Sequence, residues 1–114
     1  MKKNRKNKGF CFESQKIKSR YRTFKSYLEA RCEALERGLE KRFSCEARHN
    51  SSNCRGMSNY IDIWNSDDEQ ITIRISDHSP TGSGSPCDYY IYIQNKTWME
   101  IKKEVFEIAE NFLK

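Results

Sequence analysis

Three short runs constrain this chain more than anything else in it. YIDIW at 60–64, QITIRIS at 70–76 and YYIYIQ at 89–94 each place isoleucine at every second position. A period of two belongs to a β-strand, whose successive side chains point to opposite faces of a sheet. Ile61 and Ile63 therefore share one face of the first strand, Ile71, Ile73 and Ile75 one face of the second, and Ile91 and Ile93 one face of the third. Side by side, the runs give a sheet one apolar side for a core. The link NSDDE between the first two is hairpin-short, so they are expected to pair antiparallel, with the third completing a three-stranded antiparallel sheet.

The segments flanking these strands follow a different period. TFKSYLEARCEALERGLEKRF spaces Phe24, Leu28, Leu35, Leu39 and Phe43 at multiples of three to four, with Ser26 and Glu29 at capping-box spacing, which predicts an amphipathic helix. Gly38 inside it costs about 1 kcal/mol relative to alanine and marks either a close packing contact or a weak point. The following SCEARHNSSNCRGMSN is polar and rich in turn residues, and reads as a long connection. In the last segment, NKTWMEIKKEVFEIAENFLK, Thr97 is the expected N-cap with Glu100 as its partner, and Trp98, Ile101, Val105, Ile108 and Phe112 form a helical stripe. Met99, Phe106, Ala109 and Leu113 widen that stripe, so this helix is expected to cover the isoleucine face. The reading is an α+β fold of order α-β-β-β-α, with the face taken by the first helix left open.

Charge divides the chain. Residues 1–25 carry ten Lys/Arg and one acid, Glu13, a net +9, which leaves the remaining residues at −4. With 114 residues, one domain is expected: a basic, flexible arm at 1–22 and a single α+β body at 23–114. The arm has many cations that release counter-ions and few apolar groups, so it is expected to be mobile alone and drawn to a polyanion. Phe10, Phe12, Tyr21 and Phe24 interleave with those charges, a pattern that suits stacking on bases as well as contact with phosphates. No run approaches the ~20 apolar residues of a membrane span, and no apolar core of a signal peptide follows the N-terminal cations. Cys11, Cys32, Cys45, Cys54 and Cys87 are an odd number without a compact framework, which fits reduced thiols and a cytoplasmic protein.

Three constellations bear on function. The polar side of the sheet carries Tyr60, Asp62, Trp64, Thr72, Arg74, Tyr90 and Tyr92, so Tyr60, Trp64, Tyr90 and Tyr92 are a candidate aromatic contact face if no helix covers them. At the end of the second strand, TIRISDHSPTGSGSP sets Asp77 and His78 beside a loop of small residues, and Asp88 joins them if the flanking strands are neighbours. That trio suits a metal-dependent nuclease, but the chain has neither a nucleophile elbow nor a phosphate-cradling glycine loop leading into a helix, so no catalytic residue is assigned. Cys45, His49 and Cys54, with Cys32, His78 or Cys87 as a fourth ligand, are too loosely spaced for a structural zinc site, and neither a metal nor another cofactor is expected.

The stretch ITIRISDHS at 71–79, with the basic arm and the charged helix EARCEALERGLEKRF upstream, resembles small phage anti-CRISPR proteins that inhibit type II Cas9. The likeness is to the broad-spectrum family with a basic flexible N-terminus and an α/β body, in which an equivalent strand carries a YEIRLSNHS-like stretch. Asp77 stands here where an asparagine is expected. The resemblance implies a phage or mobile-element protein that binds a guide-RNA-loaded CRISPR nuclease and blocks target DNA cleavage without catalysis. It implies that Lys2, Lys3, Arg5, Lys6, Lys8, Lys16, Lys18, Arg20 and Arg22 supply the electrostatic contact and that Arg74, Asp77 and His78 shape a specific patch. The rival class is a small nucleic-acid-binding regulator that grips RNA or DNA with the arm and the aromatic face.

Overall fold

The computed structural model describes residues 11–12, 24–51, 58–77 and 87–114. Its centre is a four-stranded sheet of spatial order β2-β3-β4-β5, built from β2 (Glu46–Ser51), β3 (Asn59–Trp64), β4 (Gln70–Ser76) and β5 (Tyr89–Tyr92). The isoleucines sit as their period requires. Ala47, Ile63 and Ile71 lie in one cross-strand row, Ile61 and Ile73 in the next, and Ile75 and Ile91 in a third, all on one face. Ile61, Ile63, Ile73, Ile75 and Ile93 have no exposed surface.

Two helices cover that face. α1 (Phe24–Phe43) contributes Leu28, Cys32, Leu35 and Leu39, and α2 (Trp98–Leu113) contributes Ile101, Val105 and Ala109, to one continuous core with the isoleucines. α1 begins two residues before Ser26, so the expected Ser26–Glu29 capping box falls inside the helix instead of at its start. It ends where Ser44 adopts a left-handed conformation, φ 53°, and donates its N–H to the Glu40 carbonyl at 2.9 Å. α2 starts as its sequence predicts: Glu100 N–H donates to Thr97 Oγ1 at 3.1 Å, and Thr97 N–H to Glu100 Oε1 at 2.8 Å. Met99, expected in the apolar stripe, points outward and is 68% exposed.

Two expectations about the sheet are corrected. The segment read as a long connection contains β2, an edge strand antiparallel to β3. Ala47 is its one buried apolar side chain, so no hydrophobic alternation betrays it. α1 secures this strand: the N–H of His49 donates to Glu36 Oε1 at 3.1 Å, and that of Ala47 to Glu40 Oε2 at 3.4 Å. These groups point away from β3, so the glutamates, one helical turn apart, cap the sheet's open edge.

The second correction is direction. β3 and β4 form the expected antiparallel hairpin, closed by a turn in which Asn65 Oδ1 accepts the N–H groups of Asp67 and Glu69, both at 2.9 Å. β5 instead runs parallel to β4, pairing Ile73 with Tyr89 and Ile75 with Ile91, so the sheet is mixed. Residues 77–88 form the connection, and about a dozen residues suffice for a crossover between parallel strands.

Within the basic arm, the two-residue β1 (Cys11–Phe12) pairs antiparallel with β6 (Lys96–Thr97) directly before α2. Among the described residues no helix is long and apolar enough to cross a membrane.

Candidate binding face

Because both helices pack on the isoleucine side, neither of them covers the other side of the sheet. That side follows from the even positions of each strand: Glu46, Arg48 and Asn50 on β2, Tyr60, Asp62 and Trp64 on β3, Gln70, Thr72, Arg74 and Ser76 on β4, and Tyr90 and Tyr92 on β5. Tyr60, Trp64, Tyr90 and Tyr92 are each half-buried and lie outside the apolar core.

Arg74 is the centre of this face. The register sets Tyr60, Arg74 and Tyr90 in one row across three strands. The guanidinium carbon lies 5.0 Å from the Tyr90 ring centre and 5.8 Å from that of Tyr60. Nε and Nη2 donate to Ser58 Oγ at 3.3 and 2.9 Å, and that oxygen is 3.0 Å from Ser76 Oγ. Only 8% of Arg74 is exposed. A desolvated cation over tyrosine faces gains ~2 kcal/mol, which offsets part of the cost of burying the charge. A second stack lies diagonally opposite, where Arg48 is 5.8 Å from the Trp64 ring centre.

The carboxylates of this face sit in the half away from Arg74. Asp62 accepts from Thr72 Oγ1 at 2.7 Å and from Asn50 Nδ2 at 3.5 Å. Asp88 joins β5 to β4, its N–H donating to the Thr72 carbonyl and its Oδ2 accepting the Thr72 N–H, both at 2.8 Å. This placement separates two members of the acid–histidine trio. In a parallel pair the two ends of the connection lie at opposite ends of the strands. Asp88 is therefore beside Thr72, five residues before Asp77, roughly 16 Å away along β4. His78, the third member, lies outside the described residues, as do Lys2, Lys3, Arg5, Lys6, Lys8, Lys16, Lys18, Arg20 and Arg22.

The cysteines and histidine considered as metal ligands have other surroundings. Cys32 is sealed in the core, where burial and then the Glu29 carboxylate push its thiol pKa far above the ordinary value. Cys45 donates to the Leu39 carbonyl at 3.7 Å, and burial, with Glu40 adding, raises its pKa too. His49 Nε2 lies 2.8 Å from Asn59 Oδ1. Cys54 lies outside the described residues. On the helical layer, a groove of about 730 Å³ runs along Gly38, Met99 and Phe106, with Arg42 and Lys102 over the Phe106 ring at 5.7 and 5.8 Å.

Sequence periodicity placed the aromatic residues and Arg74 on this face. It missed Arg48 and Asn50, because β2 went unrecognised. It also missed Ser58 and Ser76, although both continue the even-numbered pattern.

Fold and face together define a two-layer α+β protein with both helices on one side of a mixed sheet and a tyrosine–arginine surface on the other. No protein-family model, curated protein or solved structure matches the chain.

Proposed function

We propose that this protein acts by binding, as an inhibitor of a guide-RNA-loaded CRISPR nuclease, most directly Cas9, in the cytoplasm of a bacterial host that carries the phage or mobile element encoding it. One observation supports the reading above others. The segment that carries the resemblance forms central strand β4 in its described part, and its Arg74 sits on the face that no described helix covers. The segment therefore contributes to a surface as well as to the core. A guide-loaded nuclease offers complementary chemistry, with exposed RNA phosphates beside basic channels shaped for a heteroduplex. The +9 N-terminal segment, residues 1–25, meets the phosphates, while residues 26–114, at −4, are suited to the channel walls.

The deciding experiment is target-DNA cleavage by several guide-loaded Cas9 and Cas12 enzymes, with and without the full chain. Inhibition that saturates near one protein per enzyme is the expected result, and no inhibition at any excess overturns the reading.

The tyrosine–arginine row favours a second reading, a regulator that holds RNA or DNA directly. Steeply salt-dependent binding to bare nucleic acid, without nuclease inhibition, identifies that class.

A further inference from the structure

We propose that the Tyr60–Arg74–Tyr90 row, together with Tyr92 in the adjoining row, is a subsite for single-stranded nucleic acid, in which a backbone phosphate meets Arg74 and neighbouring bases stack on the tyrosines. This deepens the binding reading above and rests on it in taking the sheet face that neither helix covers as the contact surface.

Arg74 is more than nine-tenths buried, yet no carboxylate among the described residues forms an ion pair with it. Its two hydrogen bonds reach the same neutral acceptor, Ser58 Oγ. Nη1 makes no hydrogen bond to a described residue, and it is not among the described side-chain atoms sealed from solvent without a partner. Burying a guanidinium without an anion is costly, and the tyrosine faces offset only part of that cost. A phosphate oxygen at Nη1 supplies an anion that no described residue provides, and the planar fork of arginine suits it.

The distribution of charge points the same way. Asp62 is already held by Thr72, while the row of Arg74 and the adjoining row of Ser76 carry no acid on this face. Residues 1–10 add five cations and no acid, and the chain meets the body at Cys11, paired with Thr97, five residues after Tyr92. A negatively charged strand fits both features. The half-buried rings of Tyr60, Tyr90 and Tyr92 favour nucleic acid over an acidic peptide, since every base has a π face to stack and a carboxylate has none.

Fluorescence anisotropy with labelled RNA and DNA oligonucleotides of ~12 nucleotides tests the assignment with the full chain. The wild type and Tyr92→Phe are expected to bind, and binding of either sugar supports the inference. Tyr92→Ala is expected to bind about tenfold more weakly, since its loss removes one stacking platform. Arg74→Lys is expected to weaken binding by a similar factor, because lysine keeps the charge and loses the fork. Thermal melts confirm that each variant is folded, and Tyr92→Ala carries the test if Arg74→Lys is not. Folded variants that bind like the wild type, or a wild type that binds neither oligonucleotide, overturn the proposal. If the wild type binds no nucleic acid but inhibits a nuclease, and Tyr92→Ala weakens that inhibition, the face takes protein: this inference fails while the inhibitor reading stands. The expected nucleic-acid binding without inhibition of any nuclease gives the reverse.

Discussion

The backbone N–H of His49 donates to the carboxylate of Glu36 across 3.1 Å, joining the edge strand of the sheet to the helix above it. Together with the Glu40 contact to Ala47, it occupies two of the donors that a polar edge strand otherwise presents to another chain. Glu36→Ala is expected to cost about 1 kcal/mol, as for other hydrogen bonds of this kind. The same variant is expected to raise concentration-dependent association. Thermal melts and sedimentation check both effects, and a variant that is as stable and as monodisperse as the wild type refutes the capping role.

Gly38 faces Phe106 of α2, and a β-carbon added there meets the ring at 3.4 Å, an ordinary contact distance. The helix entropy cost of glycine is therefore recoverable without a clash. Gly38→Ala is expected to stabilise the protein by about 0.5–1 kcal/mol in denaturant titrations. A loss of stability shows that Phe106 cannot yield at this contact.

Thr97 holds the start of α2 through both halves of the capping box. Thr97→Ala is expected to cost about 1 kcal/mol, and Thr97→Ser little. Chemical denaturation of the two variants distinguishes a lost cap from a lost methyl group, since serine keeps the hydroxyl and alanine keeps neither.

Cys32 is fully enclosed and its thiol pKa is raised, so at mildly alkaline pH it holds almost no thiolate. Of the described thiols, half-buried Cys87 is expected to react first with iodoacetamide near pH 8, and Cys32 only after unfolding. Peptide mapping by mass spectrometry reads the order. Labelling of Cys32 in the native protein at a rate like that of Cys87 contradicts the enclosed core.

If residues 1–10 provide the electrostatic part of binding, their deletion removes five cations. The logarithmic salt slope of nucleic-acid binding is then expected to flatten by up to about four, at roughly 0.7–0.9 per phosphate contact. Titrations between about 0.05 and 0.2 M salt measure it, and an unchanged slope removes these residues from the contact.

How much the sequence disclosed varied with how local the controlling interactions were. The period-two isoleucines, the β3–β4 hairpin and the Thr97–Glu100 cap were legible because each depends on residues a few positions apart. β2 was hidden because its stability comes from β3 on one side and from two glutamates of α1 on the other, leaving its own sequence polar. The candidate face was half legible. Alternation put Tyr60, Arg74 and Tyr90 on one side of their strands, but the row they form depends on cross-strand register.

The sequence by itself determined which residues turn inward, because strand and helix periods are local geometry and burial of apolar surface does the rest. Only the tertiary structure decided that both helices share one face, that β5 runs parallel to β4, and hence that Asp77 and Asp88 part company while Arg74 lies between two tyrosines. Those outcomes are settled by which surfaces meet over long sequence separations, and a pattern read along one segment carries no record of its neighbours.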